Sequence, residues 1–338
     1  MRTVVMNTSA IEARYYSIKD GAYRCSLCPN RCRIAPGKRG ICGSRLGTDK
    51  GLIADNYGQI AALHIDPMEK KPLYHFHPGE EVISVGGWGC NLGCLHCQNY
   101  SLSDVRDGRK SSYISPEELV TICRRESIRN LAFTYNEPTI MHEYAMDVAD
   151  LADGLDLIYV TNGYICPEPL EEVCEHISAM NLDVKAFTDD FYRKIAKGRL
   201  EPVLQTGETV YEKGVHLEIT YLLIPTMNDD EKELKAFCEW LIGLSEDIPV
   251  HFTAYHRDHL MHGPPDTRPE DLLKAFDIAH EIGLRYVYLG NLPLSTGRDT
   301  VCPYCGSVAI SRIGFHVSAH GLRDGRCASC GRKLNMRV

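Results

Sequence analysis

The middle of this sequence predicts an α/β fold, a partial (β/α)6-type barrel, with a small cysteine-rich module before it and a ribbon-like module after it. Three observations carry the prediction. Short apolar runs alternate with helix-like segments from residue 80 onward. Polar, unusual residues recur just past the ends of those runs. Most of the fifteen cysteines fall into three groups: four in 25–42, three in 90–97 and four in 302–330.

The elements follow in order. EEVISVGG (80–87) reads as a strand. SPEELVTICRRES (115–127) reads as a helix, with Ser115 as N-cap, Pro116 in the first turn and Glu118 completing a capping box. Then come LAFTY (131–135), a helix through 138–152, LIYVTN (157–162), a helix near 167–178 and NLDVKAF (181–187). A helix-like stretch leads to HLEITYLLI (216–224), a helix in 229–245, PVHFTAY (249–255), a helix near 269–282 and RYVYLGN (285–291). Strands alternating with helices imply a parallel sheet, and six or seven such units fit a partial or full β/α barrel. The expected division is a cysteine module in 1–50, a connecting or cover segment in 51–79, the barrel in 80–297 and the C-terminal module in 298–338. The segments GGWGCNLGC, TYNEPT, VTNGY, DVK, LLIPTMND and TAYHRDH follow successive strands, and strand C-termini converge on one rim where such barrels build their sites.

Composition bounds the function. The 338 residues carry a net charge of -8 with a pI near 6.0, which argues against a broad nucleic-acid footprint. No apolar run is long enough to span a membrane. MRTVVMNTSAIEARYY lacks the basic-then-apolar order of a signal peptide, so a cytoplasmic home is expected. A long chain without a leader whose cysteines cluster reads as metal ligation rather than a disulfide scaffold. Cys123, Cys174 and Cys238 sit among apolar helix residues and read as core packing.

The loop GGWGCNLGCLHCQNY (86–100) places Cys90, Cys94 and Cys97 close together with no fourth cysteine near them. A four-iron cubane is ordinarily held by four thiolates. Three leave one iron open to an outside chelator, and the amino and carboxylate groups of S-adenosylmethionine can close that chelate. The alternative is a zinc site completed by a residue such as His96, but zinc knuckles usually pair two C-x2-C elements.

GCNLGCLHCQN resembles the cluster loop of radical SAM enzymes, in particular relatives of the pyruvate formate-lyase activating enzymes. RCSLCPNRCRIAPGKRGICGSR, IDPMEKKPLYHFHPG, TYNEPT, VTNGY and the terminal C-x2-C pair look like the radical SAM enzymes of the AmmeMemoRadiSam system. The resemblance covers nearly the whole chain. It implies a [4Fe-4S] cluster on Cys90, Cys94 and Cys97, reductive cleavage of S-adenosylmethionine, an outside electron donor of flavodoxin or ferredoxin type, and Memo-type and Ammecr-type partner proteins. It also assigns roles around the rim. TYNEPT stands in place of a Gly-Gly-Glu-Pro motif, with Asn136 and Glu137 matching and Glu137 offering a carboxylate to the cationic amine; Tyr135 and Asn136 replace the glycines. Thr161 and Asn162 of VTNGY resemble a hydrogen-bonding pair at a strand end. Asp183 and Lys185 of DVK, two residues apart and so on one strand face, would contact the methionine end. His256 resembles a histidine near the ribose. Thr226 stands where relatives often have Gly. His75 and His77 read as packing or surface.

Two cysteine groups remain. Cys302, Cys305, Cys327 and Cys330 form C-x2-C, a 21-residue gap and C-x2-C, each knuckle followed by Gly; this is a zinc-ribbon pattern with hairpin-like alternation between the knuckles. Cys25, Cys28, Cys32 and Cys42 follow C-x2-C-x3-C-x9-C and share either zinc or a second iron–sulfur cluster. Three functions stay open: a radical enzyme acting on a small molecule or cofactor precursor, an activase placing a glycyl radical on a partner protein, and a non-catalytic metal-binding adaptor.

Overall fold

Eight strands form the central sheet of the computed structural model, which describes residues 11–104 and 110–338. Most of the leader reading falls on residues 1–10 and lies outside the described residues. In chain order the strands are β1 (Ala62–Pro67), β2 (Glu81–Gly86), β3 (Asn130–Phe133), β4 (Asp156–Thr161), β5 (Ala179–Asp183), β6 (His216–Leu223), β7 (Val250–Ala254) and β8 (Val287–Gly290). They pair in sequence order, β2 through β8 parallel, with β1 antiparallel on β2. Among the described residues no ladder joins β1 to β8, so the sheet stays open. The crossovers are α1 (Pro116–Glu126), α2 (His142–Leu151), α3 (Pro167–His176), α4 (Glu201–Glu212), α5 (Glu231–Leu244) and α6 (Pro269–Ile282). That makes six β/α units ending in a seventh parallel strand.

Local signals explain the element ends. The Ser115 hydroxyl accepts from the Glu118 amide at 3.2 Å, and a cap of this kind stabilises a helix by about 1 kcal/mol. The expected helix through 138–152 begins instead as a 3-10 turn, Pro138–Met141, before α2. Strand β1 falls in the segment expected only to connect. Ala62–Pro67 carries the exposed Ile65 and lies at the sheet edge, so its alternation is weak.

The period of two sorts the strands onto two buried faces. Ile83, Leu131, Phe133, Leu157 and Tyr159 pack outward against the helices. Val82, Ala132, Ile158 and Ala179 point inward, where Met68, Leu73 and Phe76 of the cover segment fill the space. His75 and His77 are buried packing residues. His75 bridges Asn335 O and the Tyr288 hydroxyl at 2.6 Å each, and His77 meets Asn130 Oδ1 at 2.7 Å. Among the described residues no helix is long and apolar enough to cross a membrane.

The C-terminal module is a small antiparallel unit, Thr300–Val301, Val308–Ile313 and His316–Ser318, with its own core of Ala309, Ile310, Leu334 and Met336. Arg312 docks it on the barrel. The buried guanidinium reaches Glu69 at 3.4 Å, Thr300 Oγ1 at 2.8 Å and Tyr74 O at 2.9 Å. The N-terminal module is a set of short hairpins packed against α2 and the loop after β2. It is docked by Arg45, which holds both oxygens of Glu143 at 2.9 and 2.8 Å; both side chains are 1% exposed.

Candidate active site

The loop after β2 is shaped by its glycines and by Asn136. Gly89 has φ +90°, and a Cβ there would lie 2.3 Å from the Cys42 carbonyl oxygen, so only glycine fits. Asn136 straps the loop: its Nδ2 donates to Gly89 O at 2.9 Å and its Oδ1 accepts from Gly87 N at 3.2 Å. The buried Asn91 continues the frame, donating to Tyr164 O at 2.7 Å and accepting from Asn162 Nδ2 at 3.0 Å. Cys90, Cys94 and Cys97 are thereby held half-buried on one wall of a cavity of about 510 Å³ at the C-terminal ends of the strands. Burial pushes the Cys90 thiol up and lifts Cys94 to about 12, against the pull of the nearby Lys185 cation. Thiolates at these positions need a metal to form.

The other predicted residues divide by geometry. Asn136, Glu137, Asn162, Asp183 and Lys185 line the same cavity as the three thiols. Asp183 and Lys185 pair at 2.6 Å. Burial alone would lower Lys185, but the Asp183 carboxylate outweighs it and holds the ammonium charged. Glu137 is 1% exposed and heavily committed. Its carboxylate accepts from the Thr139 amide and hydroxyl at 3.0 and 2.7 Å, the Thr161 hydroxyl at 2.6 Å and the Asn162 amide at 2.8 Å. Burial nonetheless pushes its carboxyl up. Thr161 does not line the cavity; it acts on the rim through Glu137. His256 is exposed and off the lining, and meets the lining residue Gln98 at 3.1 Å.

Several residues at the site were not read from the sequence. Asp66 accepts from Lys70 and Lys71 at 2.7 Å each and from the Tyr135 hydroxyl at 2.7 Å, so two ammonium groups share one carboxylate at the cavity wall. The pairing Asp66–Lys70 is four residues apart, a spacing visible in IDPMEKKP. Tyr135 has φ +71°, and Thr226 has φ +68°. Both stand where the resemblance expects glycine, and both keep the left-handed backbone that glycine serves, at a cost to a side-chain-bearing residue. His96 lies buried in the lining with Nδ1 unpartnered among the described residues; burial, then Lys185, lowers it to about 3.

The two four-cysteine groups differ in geometry. The C-terminal Sγ atoms all lie within 4.8 Å of one another, with Cys302–Cys330 and Cys305–Cys327 at 3.7 Å. A tetrahedral ion with metal–sulfur bonds near 2.3 Å sets its sulfurs about 3.8 Å apart, so this group is spaced for one metal ion. Cys305, hydrogen-bonded by Ser307, is lowered to about 6, which favours thiolate. Cys25, Cys28, Cys32 and Cys42 are different: among the described residues, no three of their Sγ atoms gather within 4.8 Å.

The comparisons with known proteins agree with this geometry. The Radical SAM superfamily profile matches residues 86–238. The pyruvate formate-lyase-activating enzyme of Clostridium pasteurianum is 25% identical over 179 residues, covering 50% of this chain and 72% of that one. The fold also matches a radical SAM methyltransferase of Sphaerobacter thermophilus, with a TM-score of 0.50 at 15% identity over 63% of this chain and 67% of that one. Residues 86–238 thus match the radical SAM superfamily, and the chain is similar to the activating enzymes. Its likeness to the uncharacterized protein MJ0808 of Methanocaldococcus jannaschii runs further, at 38% identity over 332 residues, 96% of this chain and 99% of that protein.

This family implies a [4Fe-4S] cluster and S-adenosylmethionine. The residues present fit both: three thiols without a fourth, lining one cavity with the Asp183–Lys185 pair and the Asn162 amide, whose Nδ2 lies 3.7 Å from Cys90 Sγ.

Proposed function

We propose that this chain is a radical enzyme that cleaves S-adenosylmethionine reductively at Cys90, Cys94 and Cys97 and acts on a small molecule or cofactor precursor. The observation that carries the reading is the convergence of these thiols with Asn136, Glu137, Asn162, Asp183 and Lys185 on one cavity. When bound, the cluster supplies one electron to the sulfonium, giving methionine and a 5′-deoxyadenosyl radical that abstracts hydrogen. The chain's residues then have distinct tasks. Lys185 and Asp183 offer an ion pair to the carboxylate and amine of the methionine end. Asn162 and Asn136 hold the loop and its ligand in register. Glu137 is a positioning residue that ties the turn after β3 to the end of β4, with Thr161 as its partner.

A second cavity, about 610 Å³, supports a small substrate. It shares Lys70, Pro72, Thr253 and Asn291 with the first and is walled by Ile313, Gly314 and Phe315 of the C-terminal hairpin. A volume of this size suits a ligand of drug-like dimensions. His251 lines it and donates Nε2–H to the buried Glu218 at 2.7 Å. Burial would raise Glu218, but His216 and His251 hold it well below the usual carboxylate range, and this carboxylate fixes the His251 ring in the chamber wall.

The C-terminal cysteines hold zinc as a structural cap on this reading. A flavodoxin- or ferredoxin-type donor supplies electrons in the cytoplasm, and the AmmeMemoRadiSam resemblance names Memo-type and Ammecr-type proteins as partners. The likeness to an activating enzyme favours a second reading, a glycyl radical made on a partner protein. An electron paramagnetic resonance signal on a partner protein would decide for it. The primary test is deoxyadenosine formation under strong reductant. It should vanish in Cys94→Ala, and deoxyadenosine from that variant would end the proposal.

A further inference from the structure

Arg45 is the most deeply buried cation of the N-terminal module, yet it is only partly satisfied. One nitrogen, Nη2, serves Glu143; Nε and Nη1 have no hydrogen-bond partner among the described residues. Two orphaned charged donors at 1% exposure are costly unless an acceptor belongs there. The acceptor's place is marked by the surroundings. A Cβ on Gly40 would lie 3.6 Å from Arg45 Cβ and 3.7 Å from Cys32 Sγ. The Arg45 charge acts on Cys25 and on Cys42. Arg45 therefore lies beside Cys25, Cys32 and Cys42, and the four thiols of the module are spaced more widely than a single tetrahedral ion permits.

We propose that Cys25, Cys28, Cys32 and Cys42 hold an iron–sulfur cluster, with the free guanidinium donors of Arg45 on its anionic core. This deepens the radical reading above, because the module touches the catalytic loop on both sides of Cys90, once by a side chain and once by its backbone. Asn30 Nδ2 donates to Asn91 O at 2.6 Å, and the Cys42 carbonyl lies against Gly89. Cys32 is half-buried beside the exposed Arg31, Arg33 and Lys38, a basic surface suited to a small acidic one-electron carrier. The assigned step moves one electron at a time: the carrier is oxidised, the N-terminal cluster is reduced by one electron, and it returns to its oxidised state as the loop cluster accepts that electron.

The test uses the full chain, purified anaerobically, with Cys90, Cys94 and Cys97 all replaced by Ala. About four irons with matching sulfide should remain, together with one ion in the C-terminal group and a reduced-cluster paramagnetic signal. Arg45→Leu in this background should lower the cluster's midpoint potential, because a buried positive charge has gone; Arg45→Lys should restore part of the shift. If iron disappears and two zincs remain, the pocket is a zinc site and the proposal falls. An unmoved potential in Arg45→Leu removes Arg45 from it. These readouts hold whether or not the chain cleaves S-adenosylmethionine, so the two readings fail separately. In the unaltered protein reduced by one equivalent of flavodoxin hydroquinone, the N-terminal signal should decay as deoxyadenosine appears. A signal that persists through that turnover overturns the relay.

Discussion

Both four-cysteine modules are docked on the barrel by a buried arginine and a glutamate, yet the two arrangements differ. Arg312 has its partners: Glu69, Thr300 and the Tyr74 carbonyl, with the Tyr74 ring 4.1 Å from the guanidinium. Arg45 keeps two donors unspent. The C-terminal thiols are drawn to 3.7 Å pairs, with Cys305 and Cys330 exposed; the N-terminal thiols are wider apart and mostly buried. One module draws its four thiols to a point, and the other leaves them apart beside a buried cation with two unpartnered donors. Equal ligand counts therefore do not imply equal contents.

The largest expected effect separates the modules by what holds them folded. The C-terminal unit has a core of only a few side chains, so an ion held by its four cysteines would carry much of its folding. Metal-coupled folding of such modules is worth on the order of 10 kcal/mol at neutral pH. Cys302→Ser should release the C-terminal ion and expose 298–338 to limited proteolysis while the barrel remains resistant. Resistance of both parts after metal loss would show that Arg312 docking alone suffices.

Next come the docking glutamates. Removing one member of a buried ion pair costs about 3–5 kcal/mol. Glu143→Gln takes from Arg45 the carboxylate it holds among the described residues, whereas Glu69→Gln leaves Arg312 its Thr300 and Tyr74 contacts. Urea unfolding of the anaerobic protein should therefore rank Glu143→Gln as the more destabilising. The reverse order would mean that the Arg45 donors are met by something other than the N-terminal pocket's occupant.

The C-terminal side of the comparison carries a pH dependence that is simple to read. Residues 1–50 contain no histidine, whereas His75 binds the C-terminal segment at Asn335. That carbonyl can only accept, so Nδ1 carries the proton and Nε2 accepts from Tyr288. Burial lowers His75 from 6.5 to about 3. The unfolded chain thus binds the proton first. The stability His75 confers is complete above pH 6.5 and is lost as pH falls toward 3, by up to about 1.4 kcal/mol per pH unit. His75→Gln should flatten the acid limb of stability measured by urea midpoints. An unchanged limb would place the acid sensitivity elsewhere.

The barrel was legible because its signals are local and repeated: strand runs of alternating faces, a capped helix at Ser115, turn residues at each strand end. The three-thiol loop was legible from spacing alone. What escaped the sequence depends on distant pairs. Arg45 with Glu143 and Arg312 with Glu69 are 98 and 243 residues apart, and nothing near either arginine marks it as buried. Glu137 was read as a group facing a ligand, and the fold adds a structural task through Thr139 and Thr161. His256 was placed by its position after β7, but the chain carries it out to an exposed loop.

The smallest effect concerns how the ribbon knuckle rests on the barrel. Tyr304, between Cys302 and Cys305, lies under two guanidinium groups, Arg285 at 5.4 Å and Arg332 at 4.6 Å. Arg285 is itself anchored on the barrel by Glu246 and Asp247. The ring is 40% exposed, and a cation–π contact in such a setting contributes about 0.5–1 kcal/mol. Tyr304→Leu keeps apolar bulk and removes the quadrupole, so it should cost less than about 1 kcal/mol and leave the metal content unchanged. Hydrogen exchange is the sensitive readout. Amides of 300–310 should exchange faster while those of 22–34 do not change. Acceleration in both segments would mean that the modules communicate through the barrel, and the independence drawn from their separate arginines would fail.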